Sequence, residues 1–430
     1  MSKIKPFQAV IYNQEKIKDM SQVVCPPYDV ISPAEQERYH KINQYNFLHI
    51  LLGKDVAGED KYKRAGDYFI SWLKDNVLKY DEKPAIYFYS QQYKVKGETK
   101  TRYGFISLLH LEESKSSLFV HEHTRLEAKE DRFRLTSHVK ANLSPIFIVF
   151  EDKKRIIQRT LSQHIQGKTS FIEVTDDEKT VHRVWRLDEP EVVKGIQDSL
   201  EQEDIFIADG HHRYEVACAY RDQMRNKLGK NSNGEENFNY VLTYFTNTDQ
   251  RGLSIFPIHR LLKLTSNIDM NEFKLKLKEF FDVEEVKDKD RFFFLMHKAG
   301  FSEHLIGLYK DKKYWLLRLK NVKILDKMIS DKPKEYRVLD VAILNYLILK
   351  NMLNCNLDDK DLIIFSPHAD DFIEQVNKNP TYMAFFLNPV KVEQIIAVAR
   401  KGERMPPKST YFYPKVLSGL VVNKFDKESA

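Results

Sequence analysis

The sequence predicts an α+β protein with a mixed-sheet core, and three stretches carry that prediction. Residues 85–111 alternate apolar and polar positions on either side of a KGET turn, which is the pattern of a β-hairpin with one buried face. Residues 204–228, DIFIADGHHRYEVACAYRDQMRNKL, pass from a short apolar strand through a glycine turn into a helix face marked by Val216, Tyr220 and Met224. Beyond Thr265 helices and strands succeed one another without the regular strand–helix–strand alternation of a parallel sheet, and no repeat of fixed period is visible.

Taken in order, FQAVIY (7–12) reads as a strand, and in the CPPYDV block that follows Pro26 and Pro27 fix an extended backbone. That rigidity either holds Tyr28 and Asp29 in a cleft or only turns a corner. Tyr62–Leu78 reads as a helix with Ala65, Phe69, Trp72 and Leu73 on its apolar face. After the hairpin, SLFVHEHT reads as a strand, which would set His121 and His123 on one face and Glu122 on the other. A His-x-His pair suits a metal, while Glu122 at a strand end suits a base. Residues 124–141 form a charge-dense helix in which Arg125 is the first candidate to reach a site. Strands SPIFIVF and SFIEV, a helix near 153–165 and the strand HRVWRL lead to the central turn, and GKNSNGEEN beyond it reads as a loop.

Two regions are expected: 1–264, carrying the chemistry-bearing blocks, and 265–430, a second α+β region. In the second, the helix MNEFKLKLKEFF precedes an antiparallel meander of FFFLMH, HLIGLY and YWLLRL. A helix near 338–352, the strand LIIFS, a helix, the strand YMAFFL and the helix KVEQIIAVARKG follow.

Composition sets the outer limits. With 430 residues, 42% apolar and 30% charged, the chain can bury two or three cores. Cys25, Cys218 and Cys355 are too scattered for a zinc signature or a disulfide framework, which points to a reducing compartment. The start has no apolar stretch of signal length, and the run VAILNYLIL is broken by Asn345, so the expected location is cytoplasmic with no membrane partner. Net charge is +6 with lysines spread singly among acids, a pattern that does not support nucleic acid as a partner. Oligomeric state is not readable from one sequence.

The chemistry concentrates at Asp209-Gly210-His211-His212-Arg213, where one carboxylate, two imidazoles and a guanidinium surround a glycine at a helix start. Helix N-termini attract anions, so the turn is a natural phosphate seat. Arg213 stands where the dipole disfavours a cation, which leads to the expectation that a bound phosphate compensates it. A second group is the tail Arg404-Met-Pro-Pro-Lys408-Ser409-Thr410-Tyr-Phe-Tyr-Pro-Lys415, whose ammonium and hydroxyl donors suit phosphate in an ordered loop; packing alone is the other reading. The string Pro367-His-Ala-Asp-Asp371 is weakly similar to the zinc motif of sugar deacetylases, but a helix start capped by Asp370 accounts for it.

The string ADGHHRYEVA resembles the strand-turn-helix signature of the ParB/sulfiredoxin-like superfamily, which includes nucleotide-hydrolysing partition proteins, sulfiredoxins and free-serine kinases. Nearly the whole chain resembles the family called domain of unknown function 1015, through the blocks CPPYDV, VHEHT, KEDRFRL, IADGHHRYE and MPPKSTYFYPK. Likeness to the free-serine kinases implies phosphoryl transfer or phosphoester hydrolysis on a small hydroxyl metabolite such as serine or phosphoserine, with ATP or ADP and Mg²⁺. In that reading Gly210 and Arg213 hold phosphate and Asp209 or Glu122 takes the hydroxyl proton. His211 or His212 acts as an acid or donates to phosphate, and Arg125, His121, His123, Tyr28, Asp29, Lys408, Ser409, Thr410 and Lys415 stand around them. Partners would be a nucleotide or a phosphorylated metabolite. Two other classes stay open: a ParB-like binding protein that responds to nucleotide without chemistry, and a metal-dependent hydrolase using the histidines. A strand after the central helix, where partition proteins carry a helix-turn-helix, speaks against reading DNA.

Overall fold

The hairpin forms where the alternation places it. In the computed structural model, β1 (Ile86–Val95) pairs antiparallel with β2 (Glu98–His110), and Lys96 and Gly97 turn between them at φ of 50° and 82°. Two successive residues at positive φ match the right-handed twist of the strands they join. The structure describes residues 3–111, 117–231, 234–248, 251–264, 268–300, 303–357, 359 and 361–426. These form two compact units: residues 1–119, 124–253 and 414–430 in the first, 120–123 and 254–413 in the second. Thr265, where the second region was expected to begin, and Ser232 and Asn233 of the polar loop lie outside the described residues.

The first unit is built on a nine-stranded sheet. Its further strands are β3 (Leu118–Phe119), β4 (Ile146–Phe150), β5 (Ile172–Thr175), β6 (Val181–Leu187), β7 (Ile205–Asp209) and β8 (Tyr240–Asn247). The order is β3-β7-β4-β8-β2-β1-β6-β5, with Ile4–Lys5 beside β2. β7 runs parallel to β3 and β8 parallel to β4, while the other pairs are antiparallel, so the sheet is mixed. Every residue of β4 is buried, which is why it reads as an unbroken apolar run rather than an alternation.

Helices α1 (Lys61–Lys74), α2 (Leu126–Val139), α3 (Pro190–Leu200) and α4 (His211–Leu228) belong to this unit. α1 is shorter than the sequence pattern suggests. Asn76 takes a left-handed conformation (φ 55°) and Leu78 already starts a strand, so the apolar residue that seemed to extend the helix pairs with Tyr12 in a two-stranded sheet instead. α3 was not anticipated, although Pro190 at its first turn and Val193, Ile196 and Leu200 on its buried face carry the usual signals. The expected strand through His121 stops at Phe119, because residues 120–123 leave the first sheet for the second unit. Alternation therefore gives no shared face to His121 and His123.

The second unit carries a six-stranded sheet of β10 (His259–Lys263), β11 (Phe281–Val286), β12 (Leu305–Lys310), β13 (Lys313–Leu319), β14 (Ile363–Ser366) and β15 (Tyr382–Phe386), after the short β9 (Ser254–Phe256). Its order, β11-β13-β12-β15-β10-β14, is antiparallel throughout. β9 pairs separately with β16 (Tyr411–Tyr413). Helices α5 (Met270–Phe280), α6 (Lys289–Ala299), α7 (Ala369–Lys378) and α8 (Val392–Arg400) complete it.

FFFLMH is helix, not strand. It lies in α6, capped by the Asp288 carboxylate, with Phe292 and Met296 buried four residues apart. No described helix is long and apolar enough to cross a membrane.

One close approach limits the first sheet. A Cβ on Gly104 would lie 2.1 Å from the Phe245 carbonyl oxygen and 2.6 Å from the Tyr244 ring. Gly104→Ala is expected to destabilise the protein by about 3 kcal/mol, the upper range for overpacking. A urea unfolding midpoint equal to the parent's would refute this.

Candidate functional site

The Asp209–Arg213 turn joins β7 to α4, an 18-residue helix. Gly210 caps it at φ 91° with no side-chain cap bond, and Tyr214 N–H donates to the Gly210 carbonyl to start the helix. The first amides of such a helix point outward along its axis. The left-handed backbone favours glycine here, and a Cβ would also sit 3.0 Å from the Arg213 guanidinium, close enough to push it aside.

Arg213 folds back over that space. Its Nη2 donates to Asp209 Oδ2 at 2.7 Å, and its Nη1 donates to the Pro145 carbonyl. Asp209 Oδ1 accepts from Lys415 Nζ at 3.0 Å, across 206 residues of sequence. All three side chains are largely buried, at 12%, 19% and 11% exposure for Arg213, Asp209 and Lys415. Burial alone would raise the Asp209 carboxyl, but Lys415, Arg213 and the nearby His211 outweigh it and hold it well below the usual carboxylate range. The anion that compensates Arg213 is thus Asp209, and no phosphate is needed to explain the cation at this helix start.

His211 is buried at the first position of α4. His212 Nε2 accepts from the Arg125 backbone N–H at 2.9 Å, which places the proton of a neutral ring on Nδ1. It is the Arg125 backbone that makes this contact, while the residue itself is exposed. One turn further, Glu215 accepts from Thr124 Oγ1 (2.6 Å) and Lys129 Nζ (3.1 Å), tying α2 to α4.

The CPPYDV block reaches the same neighbourhood. Tyr28 sits under the Arg132 guanidinium, 4.2 Å from ring centroid to carbon, and its phenol is pushed up to about 12 by burial, with Asp29 adding to it. Arg132 and Arg213, joined by Tyr28 and Ser144, line a cavity of about 50 Å³. That is room for several waters at roughly 10–15 Å³ each, or for one phosphoryl-sized group, and not for a nucleotide. Asp29 is exposed in the short turn Tyr28–Val30.

The remaining residues divide between the units. Of the tail, Lys415 belongs to the first unit, whereas Lys408, Ser409 and Thr410 belong to the second with His121, Glu122 and His123. There the Met405 N–H donates to the His121 carbonyl at 2.7 Å, so the VHEHT block and the tail do meet. His121 is buried and His123 exposed. Lys408 is exposed at φ 55°, its carbonyl accepting from Arg260 Nη2 at 2.9 Å, and Ser409 Oγ donates to the Pro406 carbonyl. At the Pro367–Asp371 string the cap is His368, with no side-chain cap bond, while Asp370 pairs with Lys289 at 2.6 Å. Among the described residues no group of three or more His, Cys, Asp or Glu side chains could hold a metal ion.

Sequence reasoning missed Arg132, Ser144 and the carbonyl of Pro145. Arg132 lies in the KEDRFRL block, where it looks like one more surface charge; only its burial against Tyr28 distinguishes it.

Residues 4–342 match the model of a family described as a protein of unknown function, DUF1015. No curated protein matches. Among solved structures the chain is similar to a mutant free serine kinase in complex with ADP, at 13% identity over 71% of this chain and 87% of that one, with a TM-score of 0.34. It is similar to free serine kinase in complex with AMP at 13% identity, covering 71% and 86%, TM-score 0.34. SbnI with a C-terminal truncation, from Staphylococcus aureus, gives 12% identity, 74% and 86% coverage, and a TM-score of 0.36.

Because Asp209 is held below its ordinary value, its ion pairs contribute stability that is present above about pH 4 and is lost as pH falls through the depressed value. Asp209→Asn is expected to remove that part of the acid transition and to cost about 2 kcal/mol at pH 7, since two largely buried cations lose their shared anion. Acid unfolding of D209N that overlays the parent's would contradict it.

Proposed function

The chain belongs to the DUF1015 family, and we propose that its first unit handles phosphoryl groups, as a phosphotransferase or phosphohydrolase for a small hydroxyl metabolite of the serine or phosphoserine class, with ATP or ADP as the nucleotide. One observation carries this reading. Lys415 and Arg213 both donate to the carboxylate of Asp209, which gathers two cations at the N-terminus of an 18-residue helix beside two imidazoles.

The roles follow from the bonds. Lys415 and Arg213 bind the phosphoryl oxygens, with the first amides of α4 completing the seat. Asp209 orients both cations, and its low proton affinity and engaged oxygens make it a poor proton acceptor. His211, inside the turn, is the group assigned to move the proton of the substrate hydroxyl; His212, held by the Arg125 amide, donates from Nδ1. Tyr28 and Arg132 close the far side. These roles rest on first-unit residues alone.

ATP would supply the phosphoryl group, and its base and sugar need more room than the roughly 50 Å³ cavity, so they would lie outside it. A dedicated Mg²⁺ cage does not fit, given the absence of a three-ligand group among the described residues and the engagement of Asp209. The same absence leaves the metal-dependent hydrolase without a ligand set on which to build.

The test is a thermal-shift panel of ATP, ADP, serine, phosphoserine and inorganic phosphate, followed by ³¹P spectra of any responding pair. A ligand at one hundred times its Kd should stabilise by about 2.7 kcal/mol. Lys415→Met should remove most of that response while the phosphoryl-free serine response changes least. A parent that responds to no phosphorylated compound, or a K415M variant that responds like the parent, would sink the proposal.

A further inference from the structure

The first unit buries four polar side chains that the phosphoryl reading does not use. Tyr89 and Gln91 stand two residues apart on β1 and so share a face of the sheet, and Gln91 pairs in register with His182 on β6 and Arg102 on β2. All four are fully buried. The C-terminal tail docks on this patch. Gln91 donates to the Lys415 carbonyl at 2.8 Å, Arg102 donates to the Pro414 carbonyl and to Gln91 Oε1, and the Leu417 backbone N–H donates to the Tyr89 hydroxyl oxygen.

His182 Nε2 lies 3.0 Å from Asp176 Oδ2, and its Nδ1 lies 2.6 Å from the Tyr89 hydroxyl. A carboxylate accepts, so the neutral ring carries its proton on Nε2 and receives the Tyr89 O–H at Nδ1. Every donor in this chain then has an acceptor. A second proton on the ring would make Nδ1 a donor facing a donor, and Tyr89 would have to turn its hydrogen away, into a site that already holds the Leu417 N–H. It would also set a positive ring beside the Arg102 guanidinium. Burial first, with Arg102 as a lesser cause, holds the His182 imidazole below its ordinary value against the opposing pull of Asp176. Tyr89 from β1, Arg102 from β2 and Asp176 just beyond β5 are the titratable or charged groups that act on it, and β5 itself presents Val174.

We propose that this chain is an acid-sensitive latch on the tail: protonation of His182 loosens the docking of residues 414–418, and with it the hold of Lys415 on Asp209. Lifting the tail opens the patch to water, which solvates the imidazolium and gives the Tyr89 hydrogen another acceptor. Because the docked state resists protonation, docking is strongest above the ordinary histidine value of about 6.5 and weakens as pH falls below it. One proton changes the docked-to-released ratio by at most about tenfold per pH unit. The Asp209 ion pairs respond in a separate window, below about pH 4. The latch rests on contacts within the first unit and does not depend on what the seat binds.

The experiment is hydrogen exchange of the full chain, read by mass spectrometry between about pH 7.5 and about pH 5 and corrected for the pH dependence of intrinsic exchange. Peptides covering 414–425 should lose protection by up to about tenfold per pH unit below about pH 6.5, while peptides from β4 keep theirs. His182→Gln cannot take up a proton, so its tail protection should be independent of pH over this range. Constant tail protection in the parent overturns the proposal, as does parallel loss in β4, which would be global unfolding, or a tail in H182Q as pH-dependent as the parent's. Should H182Q fail to fold, the His182 ring followed by NMR in the parent decides the matter. Its protonation should coincide with the loss of tail protection, and a ring that stays neutral while the tail loosens overturns the latch equally.

Discussion

One carboxylate, Asp209, receives Arg213 from its own turn and Lys415 from near the C-terminal end of the chain, and much of the first unit is arranged so that it can. The geometry needs a strand that ends at 209, a glycine that turns left-handed, and a helix whose third residue can fold back across that glycine. It also needs the tail to arrive from the other side. A largely buried carboxylate with one partner would be a liability; with two it stays ionised.

The tail is held along its length. Gln91 donates to the Lys415 carbonyl at 2.8 Å, and buried Arg102 donates to that of Pro414. Further on, Ser418 exchanges backbone bonds with Cys25, Ser144 Oγ meets Ser418 Oγ at 2.6 Å, and Asn423 pairs with Asn142. The last of these segments is the two-residue strand Asn423–Lys424, paired antiparallel with Ala141–Asn142 in a small sheet of its own. In the second unit Arg260 plays the part that Arg102 plays in the first, donating to the carbonyls of Ile258 and Lys408. A guanidinium can hold an irregular segment that has no ladder partners, because its donors spread in a plane and reach several carbonyls at once.

What the sequence revealed depended on whether the signal was local. The hairpin is written in period-two alternation and a Lys-Gly turn, and the β7-turn-α4 unit in an apolar triplet, a glycine and a four-residue spacing; both are where the pattern placed them. FFFLMH misled because a solid aromatic run has no period, and the decisive residue is Asp288, whose carboxylate caps a helix that the run itself does not announce. His121 and His123 misled for a different reason: a strand pattern cannot say where a chain changes units. At the turn, the residue types were legible and their partners were not. The Arg213–Asp209 contact spans four residues and could have been suspected, whereas Lys415 lies 206 residues from Asp209 and carries no local mark of that bond.

That pairing changes what a phosphate would encounter. An anion drawn to Lys415 and Arg213 meets Asp209 already between them, and two unit charges 4 Å apart in a partly buried site repel by about 4 kcal/mol at an effective dielectric near 20. The seat is therefore not an open trap. Its two cations supply attraction and its carboxylate supplies an opposing term that offsets part of it, so under the proposed phosphoryl reading a ligand would gain from engaging the helix amides or the histidines as well. Under the proposed phosphoryl reading, a site arranged in this way would favour groups that make all of these contacts together over those that offer charge alone, as befits a phosphoryl group that must be held briefly and then let go.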